Sequence, residues 1–441
     1  MRLIISILLC KFSRFILKLL GRGSSMPGKI ALKFYPNALS AVKMPDYVIA
    51  VTGSNGKTST VEMINKVLVD AGYSVAYNSE GSNQIDGVAT LVLSNCTNRG
   101  IFKKDVLLMA SDERYAQYTF KHFVPTHYVI TNLYRDQMTR NGNPEFVLKE
   151  IKKSIKPETT LVLNVDDPAI TSLDPNNSAC YFGINDNNYT REENNFIYDD
   201  GYYCPRCKSK LVYDYHQFGH VGKYHCSKCK FKRNEPKYYI SDIDLSKGSI
   251  VVNGKHTIKL AANSLHNAYN VLAAFAITSL IGVDQKIAAE ALNDYLIENG
   301  RIKRFKLGLN RGTLLISKHE NSVSYNQNIE YIVNQNKDCT IILMVDAISR
   351  KYFTSETSWL WDINFELLGS KNIKNIIVTG QYASDIAERL TYANIDFIKV
   401  YVNGNISKAI KYAENNNAGY IYVLTCFSDE KKFTNEVKAV W

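Results

Sequence analysis

The chain has 441 residues, 45% of them hydrophobic and 22% charged, with a formal net charge of +11 at pH 7. This is ordinary globular composition with room for two or three cored domains, and it excludes a disordered, fibrous or disulfide-stapled chain. The cationic excess suits polyanionic partners (nucleotide, anionic lipid headgroups or nucleic acid), but it is spread along the chain and decides little by itself.

Residues 1–20, MRLIISILLCKFSRFILKLL, are apolar yet carry Arg2, Lys11, Arg14 and Lys18. The uncharged run from Leu3 to Cys10 is far shorter than the ~20 residues a bilayer span needs, and no small-residue cleavage site follows. The stretch reads as a basic amphipathic helix, either packed on the domain behind it or in loose contact with an anionic membrane face. Gly21 to Pro27 reads as a connector.

The chain is organised around Tyr47 to Val67, YVIAVTGSNGKTSTVEMINKV. A buried strand, a polar turn with two glycines and an amphipathic helix from about Thr58 form the layout of a phosphate-binding loop. Gly53 and Gly56 let the backbone approach an anion, toward which successive N–H groups and the helix N-terminus point. Lys57 is placed to reach the β/γ-phosphates, and the Thr58 hydroxyl to hold Mg²⁺. The strict pattern wants glycine where Val51 stands, so this is the shorter GxxGK[ST] form.

Around it, strands are expected at Ser74–Tyr77, Val106–Ala110, His127–Thr131 and Leu161–Asn164, and helices at Thr58–Ala71, Ala116–Phe123 and Phe146–Ile155. Such alternation implies a mainly parallel, doubly wound sheet with ligands at the carboxyl ends of its strands. The polar motifs Gly53–Thr58, Ser111–Glu113, Asn132–Gln137 and Asn164–Asp167 fall at those ends.

Residues 196–240 interrupt the alternation. Cys204 and Cys207 form one CxxC pair, Cys226 and Cys229 another, with 18 residues between them. Each CxxC turn sets two thiolates on one side of a knuckle, and two knuckles complete a tetrahedron: a structural Zn²⁺ ribbon with no open coordination position for catalysis. The aromatic-rich segment between the pairs suits a hairpin. His216, His220 and His225 are read as ordinary polar residues. Lys208, Lys210, Lys228, Lys230, Lys232 and Arg233 read as a solvated basic face, so nucleic acid is disfavoured as a partner. The other five cysteines, Cys10, Cys96, Cys180, Cys339 and Cys426, are scattered, as in a reducing cytoplasm.

Strand-like segments return near Tyr238–Val252, and helices are expected at Ala268–Leu280 and Gln285–Leu296. Asn299-Gly300-Arg301 marks a boundary. Beyond it, strands at Thr313–Ser317, Thr340–Val345, Ile373–Thr379, Phe397–Tyr401 and Tyr420–Thr425 alternate with helices as a smaller α/β domain. The expected organisation is residues 1–44 as N-terminal helix and connector, 45–304 as the ATP-binding α/β domain with the ribbon inserted at about 200–235, and 305–441 as the C-terminal α/β domain.

These pieces in this order resemble the Mur ligases, and the inserted ribbon narrows the resemblance to the MurT-type subunit of lipid II isoglutaminyl synthase. It is carried by GRGSSMPGKIAL (21–32), VTGSNGKTST (51–60), NSEGSNQIDGVAT (78–90), TNLYRDQM (131–138), LNVDDP (163–168), the two CxxC pairs, HNAYNVLAA (266–274), NGRIKRF (299–305) and ETSWLWDINFE (356–366). The resemblance implies ATP-driven phosphorylation of the D-glutamate α-carboxylate of the lipid II stem peptide. The resulting acyl phosphate is then amidated with ammonia from a separate GatD-type glutaminase subunit. Gly53, Ser54, Asn55, Gly56, Lys57, Thr58 and Ser59 would grip the nucleotide, with Lys57 and Mg²⁺ neutralising the developing charge. Asn267 resembles the adenine contact, and Arg301 joins the nucleotide set. Asn132, Arg135 and Asp136 resemble the strand-end motif beside the nucleotide, and Asp166 and Asp167 the acidic turn after it.

In the C-terminal domain Glu356 stands where relatives carry the aspartate that orients the partner's catalytic histidine; Asp362 is the alternative carboxylate. Three stretches depart from the family. Ala110 replaces a Mg²⁺-binding glutamate, with Asp112 and Glu113 retained. Lys318–Asn321 replaces an Asn-Pro-x-Gly turn. Residues 351–354 replace the Asp-Gly that precedes the triad aspartate. Two alternatives therefore stay open: a ligase for another carboxylate, and a catalytically weak ATP-binding scaffold for a glutaminase. The expected location is the cytoplasm, at or near the inner membrane face.

Overall fold

The computed structural model of the chain describes residues 1–19, 24–79, 81–173, 178–296, 301–348 and 355–437, with the backbone of 439–440. The stretch 351–354, which departs from the family, and the Asn299-Gly300 boundary lie outside the described residues. Two compact units emerge: Met1–Tyr134 with Pro144–Asn195 and Asp199–Ile297, and Arg135–Asn143 with Phe196–Tyr198 and Glu298–Trp441.

The first unit opens with helices α1 (Arg2–Leu19) and α2 (Met26–Phe34). The expected connector is thus shorter than Gly21–Pro27, because Pro27 sits in the first turn of α2, where its missing N–H costs nothing. Then come β1 (Tyr47–Thr52), α3 (Lys57–Asp70), β2 (Val75–Tyr77), α4 (Ile85–Ser94), β3 (Val106–Ala110), β4 (His127–Ile130), β5 (Thr160–Asn164) and β6 (Ala179–Ile184). The hairpin β7 (Leu211–Phe218) and β8 (Val221–Cys226) forms a separate two-stranded sheet, and β9 (Tyr238–Asp244), β10 (Ser249–Val252) and β11 (His256–Lys259) rejoin the main one. The nine-stranded sheet runs β11-β10-β9-β6-β5-β4-β1-β3-β2. From β6 through β2 neighbours are parallel, and β9–β10–β11 is antiparallel.

The chain leaves β1 toward β2 and β3 on one side, then crosses to β4 on the other. The end of β1 is therefore the topological switch point, where a crevice opens at the carboxyl ends. Val48, Ile49, Ala50 and Val51 are buried, as a strand covered on both faces requires. The helix expected over Ala116–Phe123 stops at Thr119. Phe120 and Phe123 turn into the core instead, and Val124 precedes Pro125, which disfavours continued helix.

The second unit contains β12 (Ile302–Leu307), β13 (Asn310–Ser317), β14 (Cys339–Met344), β15 (Ile373–Thr379), β16 (Val400–Asn403), β17 (Tyr420–Cys426) and β18 (Ala439–Val440), in the order β16-β15-β14-β17-β13-β12-β18. The five from β16 to β13 are parallel, with β12 and β18 antiparallel. The strand expected at Phe397–Tyr401 begins only at Val400, because Asp396 caps a 3-10 turn over Phe397–Lys399 through the Ile398 N–H (3.0 Å). The two sheets, the parallel doubly wound arrangement and the inserted cysteine hairpin agree with the expected fold class.

Candidate functional site

The glycine turn leaves β1 at the switch point. Gly53 has φ +142° and Gly56 φ +83°, a region L side chains rarely adopt. A Cβ on Gly53 would lie 2.2 Å from Thr131 Oγ1, and one on Gly56 2.1 Å from Asn270 Oδ1. Both glycines are therefore required by close approach: one to the end of β4, one to the helix Leu265–Leu280. Asn132 shapes the turn from the next strand end. Its Oδ1 accepts the Asn55 N–H (2.8 Å), and its Nδ2 donates to the Asn55 carbonyl (2.9 Å). The Ser54 N–H donates to the Asn132 carbonyl (3.0 Å), and Ser54 Oγ exchanges hydrogen bonds with the Tyr134 backbone. Asn132 thus acts as a brace for the loop, a role its sequence position alone does not separate from turn formation.

Lys57 opens α3. Its Nζ donates to the Gly53 carbonyl and to Glu113 Oε1. Glu113 and Asp112 are buried at the end of β3, just past Ala110, whose backbone is held by Asn78. Thr58 is exposed in the first helical turn, and Ser59 is half-buried beside it. The carboxylate nearest the loop lysine is therefore Glu113, three residues after the alanine that departs from the family. Asn267 is buried at the start of Leu265–Leu280, its N–H on the Ser264 cap and its Nδ2 on the Ala262 carbonyl (3.1 Å). Its neighbour His266 packs tilted against Phe218 with ring centroids 4.0 Å apart, and burial pushes its imidazole down to about 3.

The acidic turn after β5 is structural. Asp166 is fully buried and accepts from Arg233 Nε (2.6 Å), Tyr269 OH (2.7 Å) and the Ile184 N–H (2.7 Å). Arg233, expected on a solvated basic face, is instead buried and ties the cysteine insertion to the sheet. Asp167 caps the short helix Pro168–Thr171 and lies 3.6 Å from Nε2 of buried His220. Burial opposes the charge on His220, but the facing Asp167 carboxylate raises the imidazole above its ordinary value. His216 is also buried, stacked on Tyr213, whereas His225 is exposed.

The four sulfurs of Cys204, Cys207, Cys226 and Cys229 lie within 4.8 Å of one another. The Cys204–Cys229 and Cys207–Cys226 pairs are 3.7 and 3.4 Å apart. A tetrahedron with Zn–S of about 2.3 Å has S–S edges of about 3.8 Å, so this donor set fits zinc. The Cys229 and Lys228 N–H groups point at Cys226 Sγ (3.3 and 3.4 Å) and lower its thiol below the ordinary value; the Ser209 N–H does the same at Cys207, to about 6. The remaining cysteines are buried and free, and burial raises their thiols.

In the second unit Asp136 accepts from Lys318 Nζ and from Asn321 Nδ2 (2.8 Å). Glu320, at φ +47°, accepts from the Thr139 N–H (3.1 Å) and hydroxyl (2.6 Å), and its carbonyl takes the Gln137 N–H. The departure at Lys318–Asn321 thus forms a substitute turn anchored on residues 136–139. Arg135 Nη1 holds Asp362 Oδ1 at 2.8 Å and lies over the Tyr198 ring. Arg301 lies over the Phe427 ring. Glu356 is exposed, with Oε1 accepting the Ser358 N–H (2.7 Å), which lowers its carboxyl.

Residues 51–278 match the model of the Mur ligase middle domain, more than half of the chain. The chain belongs to the Mur ligase family. Residues 319–429 match the MurT ligase C-terminal model, which places it with the MurT type, and its relatives are ligases. It is 29% identical to the lipid II isoglutaminyl synthase (glutamine-hydrolyzing) subunit MurT of Streptococcus pneumoniae, over 96% of this chain and 94% of that one. Its identity to the same subunit of Staphylococcus aureus is also 29%, over 91% and 90%. Among solved structures, the pseudomurein peptide ligase type C of Methanothermus fervidus superposes with a TM-score of 0.69 at 22% identity, covering 91% of this chain and 80% of that one. MurF of Acinetobacter baumannii superposes at 0.65 and 16%, covering 92% and 80%. At those identities the likeness is one of fold.

Proposed function

We propose that this chain is the ATP-dependent ligase subunit of an amidotransferase that activates the D-glutamate α-carboxylate of lipid II and amidates it in peptidoglycan synthesis. The observation that carries this reading is the glycine turn with Lys57 at the switch point of a Mur-type sheet. MurT relatives that match nearly end to end support the substrate and the complex. ATP supplies the phosphoryl group when bound. Lys57, drawn toward the turn by the Gly53 carbonyl and Glu113, stabilises charge that develops on phosphate oxygens, and Asn132 keeps the turn open for them. Thr58, with Glu113 paired to Lys57 and Asp112 next to it in the chain, in place of a carboxylate at 110, would hold Mg²⁺, which is bound by few protein oxygens. Asn267 and Arg301 complete the nucleotide set. The cysteine cluster holds a structural Zn²⁺.

Ammonia comes from a GatD-type glutaminase partner, for which the exposed Glu356 is the residue that orients the catalytic histidine. Asp362 is less suited, since Arg135 already holds it. The place of action is the cytoplasm, at the inner membrane face where lipid II lies. The second reading, a weak scaffold for the glutaminase, is favoured by one observation: Ala110 offers no ligand oxygen from its side chain.

The test is ADP release by the complex with partner, lipid II and glutamine, comparing wild type with Lys57→Ala. Release no greater than that of the variant rejects the ligase reading. Glu356→Ala should abolish glutamine hydrolysis by the partner, and unchanged hydrolysis rejects that role.

A further inference from the structure

Helix α1 is apolar on two opposite faces. Leu3, Ser6, Ile7 and Cys10 pack inward, with Ser6 Oγ donating to the Ala31 carbonyl of α2 (3.1 Å). Lys11 Nζ is also turned to the body of the unit, where it donates to the Cys96 carbonyl (2.7 Å). The other face carries Ile4, Ile5, Leu8, Phe12, Phe15, Ile16 and Leu19, all exposed: Phe12 66%, Phe15 72% and Leu19 79%. At about 100° per residue these seven side chains fall within one arc of about 120° that holds no other residue. Lys18 and Arg2 stand about 40° beyond its two edges, outside Lys11 on one side and Leu9 on the other. The next helix, α2, exposes Met26, Ile30 and Phe34 at four-residue spacing, with Lys29 and Lys33 between them.

A contiguous apolar row of this kind does not stay bare in a folded protein; it is covered by something. Among the described residues, no helix is long and apolar enough to cross a membrane. The charge indicates the cover. Residues 1–45 contain eight Lys or Arg and no Asp or Glu. A second copy of this face would bring like charge against like charge, whereas an anionic lipid surface brings the opposite sign and an apolar layer beneath it. We propose that α1 lies in the interfacial plane of an anionic bilayer, with Phe12, Phe15, Leu8 and Leu19 inserted at the acyl boundary and Arg2, Lys18, Lys29 and Lys33 against headgroup phosphates. This surface stands independently of the ligase reading. A lipid-linked substrate would profit from it but is not needed to produce it.

The experiment is flotation of the full chain with vesicles of phosphatidylglycerol and phosphatidylcholine in equal parts, free of lipid II. Wild type is expected to float at low salt, and to release partly at high salt as the headgroup attraction is screened. The double variant Phe12→Ser/Phe15→Ser, at exposed positions and checked for an unchanged fold by circular dichroism, should lose at least about tenfold in vesicle partitioning. Arg2→Glu/Lys18→Glu should lose binding to the anionic vesicles, and Lys57→Ala should float like wild type, separating this proposal from the nucleotide site. Wild type remaining in the soluble fraction overturns the proposal, as does equal flotation of the serine variant. So does a concentration-dependent dimer of a non-floating wild type that the serine variant dissolves, which would make the row a contact between copies.

Discussion

Replacing Arg233 by methionine should unfold the cysteine insertion from the sheet it is clamped to. The guanidinium donates to Asp166 at 2.6 Å and to the Ile184 carbonyl at 3.3 Å, and both charged partners are buried. Methionine keeps most of the volume but leaves the Asp166 carboxylate, among the described residues, with the Tyr269 hydroxyl and the Ile184 N–H as its donors. Removing one partner of a buried ion pair costs about 3–5 kcal/mol, and two surviving donors place the expected loss near the lower end, about 3 kcal/mol. Burial already pushes the Asp166 carboxyl above its ordinary value, against the pull of Arg233, Ile184 and Tyr269. Without Arg233 it rises further, so the native variant binds more protons than the unfolded chain. Its stability then falls as pH rises through that window. The deficit should therefore be smaller at pH 5 than at pH 7. Urea unfolding measures both, and Asp166→Asn in the Arg233→Met background should recover part of the loss by removing the orphaned charge. A loss below about 1 kcal/mol at pH 7 would refute the assignment of this pair as the clamp, as would a deficit that Asp166→Asn does not reduce.

Three further outcomes are expected. Asn132→Ala removes two hydrogen bonds to the Asn55 backbone, each worth about 0.5–1.5 kcal/mol. It should weaken binding of a non-hydrolysable ATP analogue about tenfold by calorimetry, and unchanged affinity would leave Asn132 a plain turn residue. Elemental analysis should find zinc in the purified chain and none in Cys226→Ser, and a chelator should make residues 200–235 cleavable by protease while the main sheet persists. His266, pushed down to about 3 by burial, is neutral in the fold and takes a proton only when unfolded as pH drops below 6.5. The unfolded state then binds more protons, so stability falls on acidification by up to about 1.4 kcal/mol per unit, less here because the residue as a whole is only half-buried. Comparing wild type with His266→Phe between pH 7 and pH 5 should show a shallower slope in the variant, and equal slopes would remove His266 from the cause.

Much of this protein is legible in order and spacing. Period-two and continuous apolar runs locate β1, β3, β4, β5 and most second-unit strands, because burial on both faces leaves little freedom in their composition. The phosphate turn is legible because glycine, lysine and threonine at fixed offsets are demanded by backbone geometry and charge. The cysteine spacing is legible because tetrahedral thiolate geometry allows few spacings, and the structure brings the four sulfurs together. The N-terminal stretch reads as a basic amphipathic helix from its residues alone.

What the sequence could not decide was which polar residue meets which. Asp166 and Asp167 look like equivalent members of an acidic turn, yet one is locked by Arg233 and the other caps a helix beside His220. Arg233 carries no local mark that separates it from the lysines around it; its partner lies 67 residues away, and only the packing of the insertion against β5 and β6 brings them together. Glu113 meets Lys57 only because β3 lies beside β1. The substitute turn at Lys318–Asn321 reads as a loss until its contacts to residues 136–139 are seen. Likewise, helical periodicity gives α1 its faces, but only the tertiary structure decides that the face with Ile7 and Cys10 is taken and the face with Phe12 and Phe15 is left for another surface. Local pattern fixes what each segment can bury, and the long-range folding of the sheet fixes what it buries against.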